Sequence, residues 1–281
     1  MKNSQILKYS SFAVIFGVLS QSFSPSVYAS HYGPGIEGLD NAKAPGPGLY
    51  YRGYALEYRA DSYEGEGAPE NSEVTVNVAA NRFVWVTGAN FLGADVIAET
   101  VIPLINIDLN IGNGAVRDEQ FNVEDIFVGS VLSWHNQWWD AVAGAGMWFD
   151  TLDDDSPADP GHDYNEVMLT YGANFYLTDK KDVSISALSR YLIPDDSEVD
   201  EELIVEWGLK KNLETGIDIG IVGYDLWQTS GGNSESHAIG VEAGYFWGSI
   251  KLGLNAAYYN DYDSSENFEG DTFRLTLTKV L

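Results

Sequence analysis

Residues 166–177 read Glu166-Val-Met-Leu-Thr-Tyr-Gly-Ala-Asn-Phe-Tyr-Leu177. Val167, Leu169, Tyr171, Ala173, Phe175 and Leu177 alternate with Glu166, Met168, Thr170, Gly172, Asn174 and Tyr176. A strand turns successive side chains to opposite faces, so this stretch predicts one face for an apolar medium and one that is small or polar. The pattern recurs where Ile250, Leu252, Leu254, Ala256 and Tyr258 alternate with Lys251, Gly253, Asn255, Ala257 and Tyr259. It recurs again where Phe273, Leu275 and Leu277 alternate with Arg274, Thr276 and Thr278. Working outward, about twelve such segments emerge, mostly of a length suited to tilted strands crossing hydrocarbon. They lie near 48–61, 73–87, 91–111, 123–135, 138–149, 163–177, 182–193, 199–211, 215–228, 236–247, 249–260 and 270–281.

The connections alternate in length. Those after even-numbered segments read as tight: Gly88-Ala89-Asn90, Asn136-Gln137, Thr178-Asp179-Lys180-Lys181, Asn212-Leu213-Glu214 and Gly248. Those after odd-numbered ones carry the acids: Asp61 to Glu73, Asp118 to Asp125, Asp153 to Asp163, Asp195 to Glu202 and Asp261 to Asp271. The prediction is an all-β, antiparallel transmembrane barrel of about 12 strands, with long acidic extracellular loops, short periplasmic turns and both termini on the short-turn side. Amphipathic indoles favour the headgroup level. Trp85, Trp134, Trp138, Trp139, Trp207 and Trp247 fall near the short turns and Trp148 and Trp227 toward the loops, as two girdles would require.

At the N-terminus Lys2 and Lys8 precede an apolar run from Phe12 to Leu19, and Val27-Tyr28-Ala29 closes the segment. This reads as a secretory signal over 1–29, too short to span a bilayer. Residues 30–47 follow as a Pro/Gly-rich tail or plug, and 48–281 as the barrel. Removing the signal leaves 13 basic against 42 acidic side chains, a formal net charge of −29, which makes nucleic acid an unsuitable partner. With 44% hydrophobic and 13% aromatic residues the chain is not disordered in bulk, so the acids must concentrate in solvated regions. The absence of cysteine rules out lipidation of a cysteine and stabilisation by disulfides.

The closing run Phe273-Arg-Leu-Thr-Leu-Thr-Lys-Val-Leu281 resembles the terminal strand that barrels present to their assembly machinery, though a leucine replaces the usual final aromatic residue. Further stretches carry a family resemblance: Gly46-Pro-Gly-Leu-Tyr-Tyr51, Arg82-Phe-Val-Trp-Val-Thr87 with Leu92-Gly-Ala94, Val101-Ile-Pro-Leu-Ile-Asn-Ile-Asp-Leu109 and Glu124-Asp-Ile-Phe-Val-Gly129. They resemble the transporter-like outer-membrane barrels named for the meta-pathway of phenol degradation. The resemblance implies an outer-membrane protein associated with catabolism of aromatic compounds, and brings no binding residues with it.

Taking the apolar face of each strand as outward places Glu57, Arg59, Glu166, Arg190, Glu206, Lys210, Asp218, Glu242, Lys251 and Arg274 in the lumen, as lining or selectivity residues. A barrel of about twelve strands has a narrow interior. Charges of both signs there either brace the wall as pairs or set the selectivity of a solute path. Pro103 and the change of apolar parity around it, from Val96 and Ala98 to Ile105 and Ile107, predict a bulge or bend, with a lateral exit as a lesser possibility.

The acidic run Asp153-Asp154-Asp155 with Asp159, His162 and Asp163 lacks calcium-loop spacing and reads as a solvated loop, with loosely held Ca²⁺ or Mg²⁺ bridging to lipopolysaccharide phosphates as the lesser alternative. A lipid hydrolase would need a serine beside His237, but Ser236 and His237 point to opposite faces of a strand. The expectation is therefore a channel for passive uptake of small, aromatic or apolar solutes, without cofactor or covalent step. Its partners would be outer-membrane lipid, lipopolysaccharide, the barrel-assembly machinery and the solute. A sealed structural or surface-interaction barrel is the alternative.

Overall fold

The computed structural model describes residues 31–65, 69–151 and 156–281. The expected signal and the Asp153–Asp155 run lie outside them. Among the described residues there are thirteen strands and no helix. In chain order they are β1 (Gly48–Glu64), β2 (Glu73–Phe91), β3 (Ala94–Ile111), β4 (Val116–Val123), β5 (Ile126–His135), β6 (Trp139–Phe149) and β7 (Glu166–Tyr176). There follow β8 (Val183–Pro194), β9 (Glu202–Asn212), β10 (Ile217–Gln228), β11 (Glu235–Trp247), β12 (Leu252–Ser265) and β13 (Asn267–Val280). Antiparallel pairing of β1 with β13, from Tyr50–Val280 to Glu64–Asn267, closes the sheet. Closure satisfies every strand edge of the wall, which is what permits strands to cross a bilayer.

Twelve strands form the barrel and β4 is an extra strand. The first part of β3 pairs with β5 from Asp95 to Val101, and its second part pairs with β4 from Leu104 to Ile111. Pro103 sits at the junction, its carbonyl accepting from the Glu124 amide at 3.2 Å. A residue in an antiparallel ladder exchanges both bonds with the same partner, so the donor that proline lacks is missing from this edge. The ladder breaks there, at Glu124–Asp125. Against β2, by contrast, the register runs unbroken from Glu73–Asn110 to Val86–Ile97, so the bulge expected at Pro103 is absent. The irregularity of that hairpin falls between Val86 and Asn90. Its turn is Leu92–Gly93, with φ of 53° and 80°, rather than Gly88–Asn90.

The acidic stretches are also redistributed. Asp118 to Val123 lie on β4, and Asp261 to Asp271 occupy the ends of β12 and β13 around the single turn residue Glu266. Apolar alternation stops where the apolar medium stops, whereas backbone pairing continues into water, so extended strands read as loops.

In β7 and β13 the outward residues are the apolar ones, Val167, Leu169, Tyr171, Phe175, Phe273, Leu275 and Leu277, all substantially exposed. Toward the loop ends of β1 to β3, over residues 56–60, 74–78 and 105–111, the inward face is apolar instead. Leu56, Tyr58, Val74, Val76, Ile105, Ile107, Leu109 and Ile111 form one buried cluster with Ala158, which the β6–β7 connection folds back against them. Trp85, Trp138 and Trp247 are exposed near the short turns, but Trp148 is buried in the lumen against Phe127 and does not belong to a girdle.

Candidate functional site: the lumen and the segment within it

Residues 31 to 47 run through the barrel and enter β1 at Gly48. One close contact dictates a glycine in this segment. Gly38 has φ +66°, and a Cβ there would lie 1.8 Å from Glu242 Oε2, so only glycine lets the backbone pass the Glu242–Arg274 pair. The Gly35 carbonyl accepts a hydrogen bond from Arg274 Nη1. The amides of Glu37 and Leu39 donate to Glu206 at 2.9 Å and to Glu242 at 3.1 Å, and the Tyr32 hydroxyl donates to Glu206. Asp40 pairs with Lys210.

Glu37 is the centre of this arrangement. Its carboxylate meets Arg82 at 2.6 Å, Arg190 at 2.8 Å and Arg52 at 2.9 Å, joining the segment to β1, β2 and β8. Burial opposes its charge, but Arg82, Arg52 and Arg190 outweigh it and hold the carboxyl well below the usual carboxylate range. Arg82 also binds Glu99 of β3 at 2.6 Å, and Arg274 binds Glu242 at 2.6 Å.

Two cavities share this waist of Glu37, Arg82, Glu99 and Arg190 as a common wall. One, of about 70 Å³, is lined chiefly by apolar groups including Ile36, Leu56, Val101, Phe127, Trp148 and Met168. The other, of about 500 Å³, opens on the opposite side among Asn41, Lys43, Tyr50, Ile97, Val142 and Thr278. At the far end of the segment, His31 Nε2 lies 2.8 Å from Asp125 and Nδ1 3.1 Å from Glu166. Burial would push the His31 imidazolium down, but hydrogen bonding to Asp125 and then Glu166 raises it to about 9.

Of the residues expected in the lumen, Glu166, Arg190, Glu206, Lys210, Glu242 and Arg274 are buried there. Asp218 lies at its margin, 3.8 Å from Lys210 and accepting a hydrogen bond from Asn212 at 2.7 Å. Glu57 and Arg59 are a correction. They face outward as an exposed pair at 2.9 Å, because the apolar Leu56 and Tyr58 of β1 take the lumen side. Lys251 is another, exposed in the β11–β12 turn at φ 52° rather than on a strand.

Arg52, Arg82 and Glu99 were not among the residues assigned to the lumen. Arg82 shares its face with Val84 and Val86, both buried inside, so an outward-apolar rule misassigns it. His237 hydrogen-bonds Asp225 at 2.8 Å, while Ser236 is buried on the other face, so this serine and histidine form no nucleophile and base pair.

Residues 59–277 match the family described as "Putative MetA-pathway of phenol degradation". The chain belongs to that family. Among solved structures, an outer-membrane channel from Pseudomonas putida F1 superposes with a TM-score of 0.74 at 14% identity, covering 89% of this chain and 100% of its own. The transport unit of the autotransporter AIDA-I from Escherichia coli gives 0.54 at 10% identity, over 83% of this chain and 90% of its own. The translocator domain of NalP from Neisseria meningitidis gives 0.51 at 10% identity, over 86% and 91%. No curated protein matches the chain. At these identities the likeness is one of fold, and this family member has the closed barrel fold of bacterial outer-membrane proteins.

Proposed function

We propose that this barrel is an outer-membrane channel for passive entry of small aromatic or otherwise apolar solutes, closed at rest by residues 31–47. The observation that carries the reading is the pair of cavities on either side of the Glu37 waist. A cavity of roughly 150 Å³ suffices for benzene. The inner apolar cavity, at about 70 Å³, is smaller, so a solute of that size passes only if the segment shifts. In this reading Glu166, Arg190, Glu206, Lys210, Glu242 and Arg274 hold the segment at rest and line the path when it moves, with Asp218 at the margin. The apolar cavity lies behind the break at Glu124–Asp125 and includes Pro103 in its lining, which favours a route for apolar solutes toward the wall.

A sealed structural barrel is the second reading, favoured by the extent of pairing between segment and wall. The two are separated by swelling and ion-current measurements on liposomes containing the purified protein, with phenol-like and sugar solutes side by side. Entry of the aromatic solute with little ion current is expected. Impermeability to every solute, together with ion flow on deleting residues 31–47, assigns the wild-type protein to the sealed class.

A further inference from the structure

We propose that His31, Asp125 and His162 form a binding site for a transition-metal dication of the Zn²⁺ class. The three side chains come from separate pieces of chain: the N-terminal segment, the break between β4 and β5, and the β6–β7 connection. Their potential ligand atoms all lie within 4.8 Å of one another. Zinc bound tetrahedrally at about 2.0–2.1 Å sets its ligand atoms about 3.3 Å apart. The present spacing therefore closes around an ion with side-chain rotations of roughly an ångström, while the 2.8 Å contact between His31 Nε2 and Asp125 parts to admit it.

The surroundings match those of a metal-ligating histidine. His31 Nδ1 faces Glu166 Oε2 at 3.1 Å, the carboxylate contact that fixes the tautomer and leaves the Nε2 lone pair for the ion. Trp148 stacks on the His31 ring at 5.7 Å, and the Tyr164 ring meets it edge-on at 5.1 Å, so packing limits its rotation. His162 is already tied to the same carboxylate, its amide donating to Asp125 Oδ2 at 3.3 Å.

Charge points the same way. Glu124, Asp125 and Glu166 are all buried within this corner. The carboxylates at the waist are neutralised by guanidinium groups, whereas the ion pairs of Asp125 and Glu166 are made to His31. A dication bound beside Glu124, Asp125 and Glu166 offsets that buried negative charge. Two imidazoles in the donor set favour zinc-like ions over Ca²⁺ and Mg²⁺, which take oxygen ligands. Three protein ligands leave a fourth place for water. Bound there, the ion joins the N-terminal segment to the wall and to the β6–β7 connection.

The test uses the full chain, exported and purified from membranes without a polyhistidine tag, stripped with a chelator and reloaded with Zn²⁺ or Co²⁺. About one equivalent of zinc per barrel is expected, and Co²⁺ should give the visible absorption of a tetrahedral site. His31→Gln and His162→Gln should each abolish the Co²⁺ bands, and Glu166→Gln should weaken affinity by about 10–100-fold with the stoichiometry kept. Heat-modifiable migration confirms that each variant is a folded barrel. Failure of the wild-type chain to retain zinc or produce the Co²⁺ bands overturns the proposal, whatever the variants do. Retention of both signals by His31→Gln and His162→Gln overturns it equally.

Discussion

The wall of β7 to β13 and the loop-end part of β1 to β3 obey the same period of two with opposite orientation. On β7, Val167, Leu169 and Tyr171 look outward and Glu166 and Thr170 look in. On β2, Val74 and Val76 look in, packed on Ile105, Ile107 and Ala158, while Thr75 and Asn77 take the outer face. Alternation shows that the two faces of a strand meet different surroundings. It does not say which face meets lipid, because a lumen filled by its own chain is also an apolar destination.

The strongest challenge to this contrast is an arginine placed on each face. Val76→Arg puts a charge without a partner into a fully buried site and should cost about 4 kcal/mol or more, leaving little heat-stable barrel. Thr75→Arg, on the outer face, should cost no more than about 0.5 kcal/mol. In β7 the order should change sides, with outward Leu169→Arg costing about 2–4 kcal/mol if it lies near the bilayer midplane. Urea unfolding in lipid vesicles measures all three. Equal effects of Val76→Arg and Thr75→Arg would remove the contrast.

Glu37 gives the next effect. Its replacement by glutamine leaves Arg52, Arg82 and Arg190 without their shared carboxylate, a loss of about 3–5 kcal/mol for a buried pair broken from one side. The segment should leave the waist, and ion permeability of loaded liposomes should rise at least about tenfold, since each 1.4 kcal/mol is a factor of ten in an equilibrium. An unchanged permeability would mean that Glu37 is not what keeps the lumen closed.

A smaller effect is set by pH. The Glu37 carboxyl is held below its ordinary value of 4.5, so the stability it contributes is present above that value and is lost as pH falls through the depressed one. Permeability should therefore stay flat between about pH 7 and pH 5 and rise only in strongly acid solution. An increase already near pH 6 would point to a different latch.

The smallest effects belong to charges that the wall turns outward. Glu57→Gln and Arg59→Ala remove an exposed pair worth no more than about 1 kcal/mol, and should leave both ion selectivity and the unfolding midpoint nearly unchanged. Lys210→Ala, which unpairs Asp40 in the lumen, should alter selectivity in the same assay. A selectivity change from Glu57→Gln would return that residue to the path.

Much of the barrel was legible in the chain because its determinants are local. Period-two alternation in β7, β12 and β13 and turn residues at close spacing require only neighbouring positions. Six of the charged residues expected in the lumen face it, all on strands β7 to β13, where lipid is the apolar partner. Elsewhere the deciding contacts are remote. The outward turn of Glu57 and Arg59 depends on Ala158, about 100 residues away, and on β3. The role of Arg82 depends on Glu37, 45 residues before it, and the break at Glu124–Asp125 depends on the donor missing from Pro103 on the adjacent strand. The sequence by itself determined that the chain forms strands with two unlike faces and a closed antiparallel sheet. Which face is apolar within the lumen, and how an N-terminal segment meets three arginines from three strands, was decided only by closure of the barrel, because closure alone brings distant residues into one low-dielectric interior.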